Sequence, residues 1–248
     1  MDKVAILVDG DFYLRRAFHH WGDRTPKERA DELHKYCMRH LRHSEFRKNQ
    51  RIWVRDDLYR IFFYDCPPSE KQVYNPLSNK TENMKLSSVY SFRSELHQQL
   101  KYKRKLALRF GELREQDIAY ALLPDVMKKL LKGDRSLDSI TQDDIYINIS
   151  QKGVDMRIGL DIASMAYKKQ VTKIILIAGD ADFVPAAKLA RREGIDFVLD
   201  PMGQGIAPSL NEHIDGLSSC TYSDPLAVKD VLQTDTDSIT CTSPHEQT

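Results

Sequence analysis

Short aliphatic runs recurring between segments of helical periodicity constrain this chain more than any other feature. Residues 4–8 (VAILV) are apolar at every position, as a strand buried on both faces must be. Residues 61–64 (IFFY), 106–113 (LALRFGEL), 173–178 (KIILIA) and 195–199 (IDFVL) supply four further candidate strands. Residues 154–169 and 181–193 carry helical patterning, and Gly194 stands where a C′ glycine would end the second helix. Strands separated by helices indicate parallel pairing with both faces covered. The expectation is an α/β three-layer sandwich: a central, mostly parallel sheet of about five strands, with helices on both faces.

Three regions fit this alternation less easily. Residues 65–83, with Pro67, Pro68 and Pro76, read as an irregular loop. Residues 115–145 open with a helical stretch at 116–131 and read as a helical insertion within a domain spanning 1–223. Residues 224–248 are rich in Thr, Ser and Asp with little apolar content, which predicts a disordered acidic tail.

Charge is placed unevenly behind a net value of +1. Residues 35–60 hold eight Lys/Arg against three acids and 91–114 hold seven against two, so two basic stretches are available to a polyanion. Solvated helix faces explain such runs equally well. The longest strongly apolar run, 174–178, is too short to cross a bilayer. No basic segment followed by an apolar run opens the chain, and the four cysteines include no CxxC pair. These features predict a cytoplasmic protein with reduced thiols and no membrane partner.

In an open parallel sheet, ligands bind beyond the carboxyl ends of the strands, where strand order reverses. Asp9 and Asp11 follow the first candidate strand, and Asp180 and Asp182 follow the fourth. Asp65 ends the second, beside prolines that suggest a loop role. The 154–169 helix leads into the fourth strand, so its N-terminus, with Asp155, belongs at the same edge. Asp161 lies six residues on, about 120° around the helix and roughly 9 Å along it. That places it on the apolar stripe of Val154, Ile158, Ile162 and Met165, where a carboxylate is costly unless paired or metal-bound. Any one of these acids can be a helix N-cap, Asp11 for a helix starting at Phe12 among them. Three or four at one edge repel each other and call for a hard cation with oxygen ligands, Mg²⁺ or Mn²⁺.

The runs VDGDFYLRR (8–16), QKGVDMRIGLDIA (151–163) and IAGDADFVPAAKLARREGIDFVLD (177–200) resemble the NYN domain, in particular its LabA-like branch. FFYD at 62–65, LRFGEL at 108–113 and SLNEHID at 209–215 fit the same template in the same order, so the resemblance covers residues 3–218. It implies a PIN-like fold and a metal-dependent ribonuclease. The family's acidic positions fall here on Asp9, Asp155, Asp161, Asp180 and Asp182. Phe12 stands where many members have Asn, and Ala178 where many have Ser before the Gly-Asp pair.

The chemistry implied is two-metal phosphodiester hydrolysis, with Asp9 and Asp180 as primary ligands and Asp155 and Asp182 completing the site. Lys152, close to a helix N-terminus, is a candidate phosphate contact, and Lys101, Lys103 and Arg104 are candidate backbone contacts for RNA. An exposed, solvated Lys152 is an equal alternative. A second copy of the chain stays open as a partner. A haloacid-dehalogenase-like phosphatase would also begin with Asp9-Gly10-Asp11, but Tyr13 occupies its Thr/Val position and the KGVD segment has no place in it. The other rival is a non-catalytic RNA- or protein-binding module on the same fold.

Overall fold

The computed structural model describes residues 2–47 and 50–227. The first half of the chain runs β1 (Lys3–Asp9), α1 (Gly10–Trp21), α2 (Pro26–Arg39), the hairpin β2 (Arg42–Arg47) and β3 (Gln50–Arg55), then β4 (Asp57–Asp65). A second hairpin, β5 (Gln72–Asn75) and β6 (Lys80–Asn83), precedes α3 (Ser88–Lys101) and β7 (Leu106–Phe110). Next come β8 (Glu112–Leu113), β9 (Ala119–Leu122), α4 (Pro124–Lys132), β10 (Ile145–Asn148) and β11 (Gln151–Lys152). The chain closes with α5 (Val154–Tyr167), β12 (Lys173–Ile177), α6 (Val184–Arg192), β13 (Asp196–Asp200), α7 (Pro208–Asn211) and β14 (Gly216–Leu217).

Six strands form one sheet in the order β14-β13-β12-β1-β4-β7, and every pairing is parallel. β1 sits inside the sheet because it is apolar throughout: Val4, Ala5, Ile6, Leu7 and Val8 are all fully buried. Burial contributes about 1.5–3 kcal/mol for each of the larger side chains, as an upper estimate. From β1 the chain first lays down β4 and β7 on one side. It then returns through α5 and adds β12, β13 and β14 on the other. Strand order therefore reverses between β1 and β12, which defines the crevice where such sheets bind ligands.

The chain divides into two compact units. The first comprises Met1–Asp65, Glu95–Phe110 and Val154–Thr248 and contains the whole six-stranded sheet. The second comprises Cys66–Ser94 and Gly111–Gly153. It is built on antiparallel pairs, β5 with β6, β9 with β10 and β8 with β11.

Several sequence expectations are corrected here. The sheet has a sixth strand, β14, too short to carry periodicity. The 65–83 segment is not an irregular loop, because β5 and β6 pair across Asn75↔Lys80 to Gln72↔Asn83. In 115–145 the helix is confined to Pro124–Lys132, since Pro124 cannot lie inside a helix and starts one instead. Residues 119–122, which fall within the expected helix, pair instead with 145–148. The third strand stops at Phe110, and Glu112–Leu113 pairs separately with Gln151–Lys152. Gly194 has φ 81° and follows α6 as expected. Of the segment 224–248, residues beyond Ala227 lie outside those described. At its start, Asp224 is ion-paired with Arg24.

Candidate active site at the carboxyl edge of the sheet

Asp9 is the last residue of β1, and its side chain caps α1: the Phe12 N–H donates to Asp9 Oδ1 at 3.1 Å. The helix starts at Gly10, so Asp9 rather than Asp11 is the cap. Asp11 is instead ion-paired with Arg15, one turn on, at 2.5 Å. Gly10 is dictated by space. A Cβ there would stand 2.6 Å from the Tyr64 carbonyl oxygen and 2.7 Å from the Phe63 ring.

On the other side of the crevice, β12 ends at Ile177 and the chain turns through Ala178 and Gly179. A Cβ on Gly179 would come within 2.5 Å of the Phe12 ring, so glycine is what lets the β1 and β12 loops close on each other. Asp180 follows and caps the 3-10 turn Ala181–Phe183, accepting from the Asp182 N–H at 3.1 Å. Asp182 is exposed in that turn, and Asp155 is exposed in the first turn of α5. Asp155 makes no hydrogen bond or ion pair among the described residues.

The charges of these groups reach one another. Burial, followed by the charges of Asp155 and Asp11, raises the Asp9 carboxyl to about 6, against the pull of the Phe12 N–H and Arg15. Burial, then the charges of Asp180 and Asp182, raises Asp155 as well. Asp155 is thus coupled to Asp9 on one side and to Asp180 and Asp182 on the other. Among the described residues, no three His, Cys, Asp or Glu side chains stand close enough together to hold a metal ion as they are. The coupling is pairwise and centred on Asp155.

Asp161 is not buried on an apolar stripe. It is half-exposed, accepting from the Tyr64 hydroxyl at 2.8 Å and from Arg109 Nε at 3.1 Å. Asp65 is fully buried and hydrogen-bonded to His97 Nε2 at 2.8 Å, which makes it a structural acid.

The basic candidates stand apart from the aspartates. Lys101 ends α3, and Lys103 and Arg104 lie in the turn before β7, at the amino edge of the sheet. They are about 16 Å, the length of a five-residue strand, from the edge that carries the aspartates. Lys103 is further engaged with Asp31. Lys152 lies in β11 of the second unit, paired with Glu112. It lines a hollow of about 750 Å³ together with Arg114, Glu112, Glu115 and Asp117. Arg15, in α1 and ion-paired with Asp11, is a cation near the carboxyl edge that the sequence analysis did not single out; its i,i+4 spacing from Asp11 was the available signal.

A family model described as the NYN domain matches residues 104–210. The matched span includes Asp155, Asp161, Asp180 and Asp182 and begins after Asp9. It supports the PIN-like nuclease class, and the six-stranded parallel sheet agrees with that class. No curated protein matches the chain, and no solved structure does. Among the described residues, no helix is long and apolar enough to cross a membrane.

Proposed function

We propose that the crevice between β1 and β12 is a divalent-metal-dependent phosphodiesterase centre that hydrolyses RNA. Asp9, Asp155, Asp180 and Asp182 would hold Mg²⁺ or Mn²⁺ there. One observation supports this reading: acids from three separate segments lie at the carboxyl edge within reach of one another's charge, and that repulsion helps to push Asp9 and Asp155 toward the protonated form. An anionic, all-oxygen donor set fits a hard cation. Once bound, such an ion lowers the pKa of a coordinated water and offsets charge building on the phosphate.

The chain's own groups have separable tasks. Asp9 is held by the Phe12 N–H, which fixes one of its carboxylate oxygens. Asp155 has no competing partner and is available to turn toward a cation. Arg15, 70% exposed at its side chain, is the group placed to exchange Asp11 for a non-bridging phosphate oxygen. Asp161, held between Tyr64 and Arg109, supports the edge and is a ligand of second rank.

A non-catalytic RNA- or protein-binding module is favoured by one observation, that Asp9 and Asp180 already serve as helix caps. Melts of wild type, Asp180→Asn and Asp180→Ala, with and without Mg²⁺ or Mn²⁺, separate the two, alongside cleavage of labelled single-stranded RNA, structured RNA and DNA. A metal site requires that Asp180→Asn lose most of the metal-induced stabilisation and reduce cleavage by orders of magnitude. A cap alone predicts that Asn substitutes freely while Ala costs on the order of 1 kcal/mol. Equal metal response in wild type and Asp180→Asn would sink the metal site.

A further inference from the structure

A second constellation lies apart from the aspartates, where α2, the end of β13 and the segment after β14 meet. Asp200, the last residue of β13, is fully buried and accepts four hydrogen bonds. Its Oδ1 takes the Met202 N–H and the Ser219 hydroxyl, each at 2.7 Å. Its Oδ2 takes the Tyr36 hydroxyl at 2.5 Å and His40 Nε2–H at 2.8 Å. The other ring nitrogen of His40, Nδ1, faces Cys220 Sγ at 3.8 Å. A thiol, an imidazole and a carboxylate thus stand in series. The carboxylate fixes which nitrogen of the imidazole confronts the sulfur, as in activated cysteine nucleophiles.

The surroundings favour charge separation along that line. Burial lowers the His40 imidazole, but the adjoining Cys220 sulfur and Asp200 carboxylate outweigh it and raise the group well above its usual value. Arg39, on the same helix, donates to the Cys220 carbonyl at 3.1 Å and to the Ser223 carbonyl at 2.7 Å, so a guanidinium also lies beside the segment. The remaining titratable neighbours, Tyr36 and Cys37, are both pushed up by burial and stay neutral. Cys37 is fully buried, whereas Cys220 keeps 7% of its surface.

We propose that Cys220 is a reactive thiol that reduces hydroperoxides, with His40 as its base and Asp200 as the residue that positions His40. The Cys220 sulfur passes its proton to His40 Nδ1 and attacks the terminal oxygen of the peroxide. The S–O bond forms as the O–O bond breaks. The leaving alkoxide (hydroxide, for hydrogen peroxide) takes the proton from His40 and departs as the alcohol (water, for hydrogen peroxide). The sulfur is oxidised by two electrons to a sulfenic acid, and the peroxide is reduced by the same two. The site is a place of oxidative modification independent of any phosphodiester cleavage, and none of its groups is among the proposed metal ligands.

The test treats the full chain with dilute hydrogen peroxide, traps sulfenic acid with a 1,3-dione probe and reads each cysteine by peptide mass spectrometry. In wild type, Cys220 should be labelled at least tenfold faster than Cys37. His40→Gln should slow Cys220 labelling at least tenfold. Asp200→Asn should move the pH midpoint of the labelling rate upward, which loss of packing alone would not do. Cys220 labelled no faster than Cys37 in wild type would overturn the proposal without reference to any variant. So would full Cys220 reactivity in a folded His40→Gln protein, its fold checked by circular dichroism.

Discussion

At Asp9 the cap and the charge cluster pull in opposite directions. The Phe12 N–H stabilises the carboxylate, while burial and the charges of Asp155 and Asp11 disfavour it, and the net result is a carboxyl raised to about 6. Because the folded value lies above the ordinary 3.8, the folded metal-free protein binds this proton more tightly than the unfolded chain does. The resulting stability is complete below about pH 4 and is lost as pH rises through about 6. Asn caps a helix as well as Asp but carries no charge. Asp9→Asn should therefore remove this pH dependence and raise stability at pH 7 by on the order of 1 kcal/mol, since a tenfold change in proton affinity corresponds to about 1.4 kcal/mol and solvent screens part of the effect. Urea melts in a chelator at pH 4 and pH 7 check it. An Asn variant that is less stable than wild type at pH 7 would contradict the charge coupling.

α2 carries a buried pair of charges, Arg29 and Glu32. Its start is set locally, with Pro26 in the first turn and a reciprocal capping box between Thr25 and Glu28. Its interior is less expected, because Arg29 and Glu32 are both buried. Glu32 is paired with Arg29 at 2.7 Å and with Arg24 at 3.0 Å, and accepts from the Tyr13 hydroxyl at 2.9 Å. Arg29 also donates to the Gly22 carbonyl at 2.6 Å, joining α2 to the end of α1. Removing one partner strands the other charges inside, so Glu32→Ala should cost about 3–5 kcal/mol. A paired replacement of Arg29 and Glu32 by Met and Leu should cost less than the single change. Denaturant unfolding of both variants decides, and a cost under about 1 kcal/mol for Glu32→Ala would show that water reaches Arg29.

Across the whole sheet, the basic stretch and the aspartates fall at opposite edges. The 91–114 stretch is basic, but Lys101, Lys103 and Arg104 sit at the amino edge, while the aspartates occupy the carboxyl edge. On the proposed function, a phosphate at the crevice would lie nearer Arg15 than these lysines. Charge reversal at Lys101 and Arg104 should leave RNA cleavage within about twofold at moderate salt, where the Debye length is about 10 Å. Arg15→Glu should lower it by at least tenfold. Cleavage rates at two ionic strengths test this; a large loss on reversing Lys101 and Arg104 would place the substrate on the amino edge.

The local sequence determined which segments become strands and helices wherever burial is two-sided or a stop signal is explicit. VAILV can only be an inner strand, Gly194 ends α6, and the acids after VAILV and KIILI had to emerge at strand ends, because a parallel sheet sends all its carboxyl ends one way. The PIN-like class came from a different source, the resemblance of residues 8–16, 151–163 and 177–200 to the NYN domain. Short-range pattern did not reveal β14, two residues long, or the 72–83 hairpin, whose polar residues carry little alternation. Nor could it reveal that 119–122 pairs with 145–148 across more than twenty residues. Tertiary structure alone decided that Asp161 is held by Tyr64 and Arg109, that the basic turn faces away from the aspartates, and that Cys220 meets His40. Each is a contact between residues distant in the chain. Their proximity is set by strand order and helix return, which no window of neighbouring residues encodes.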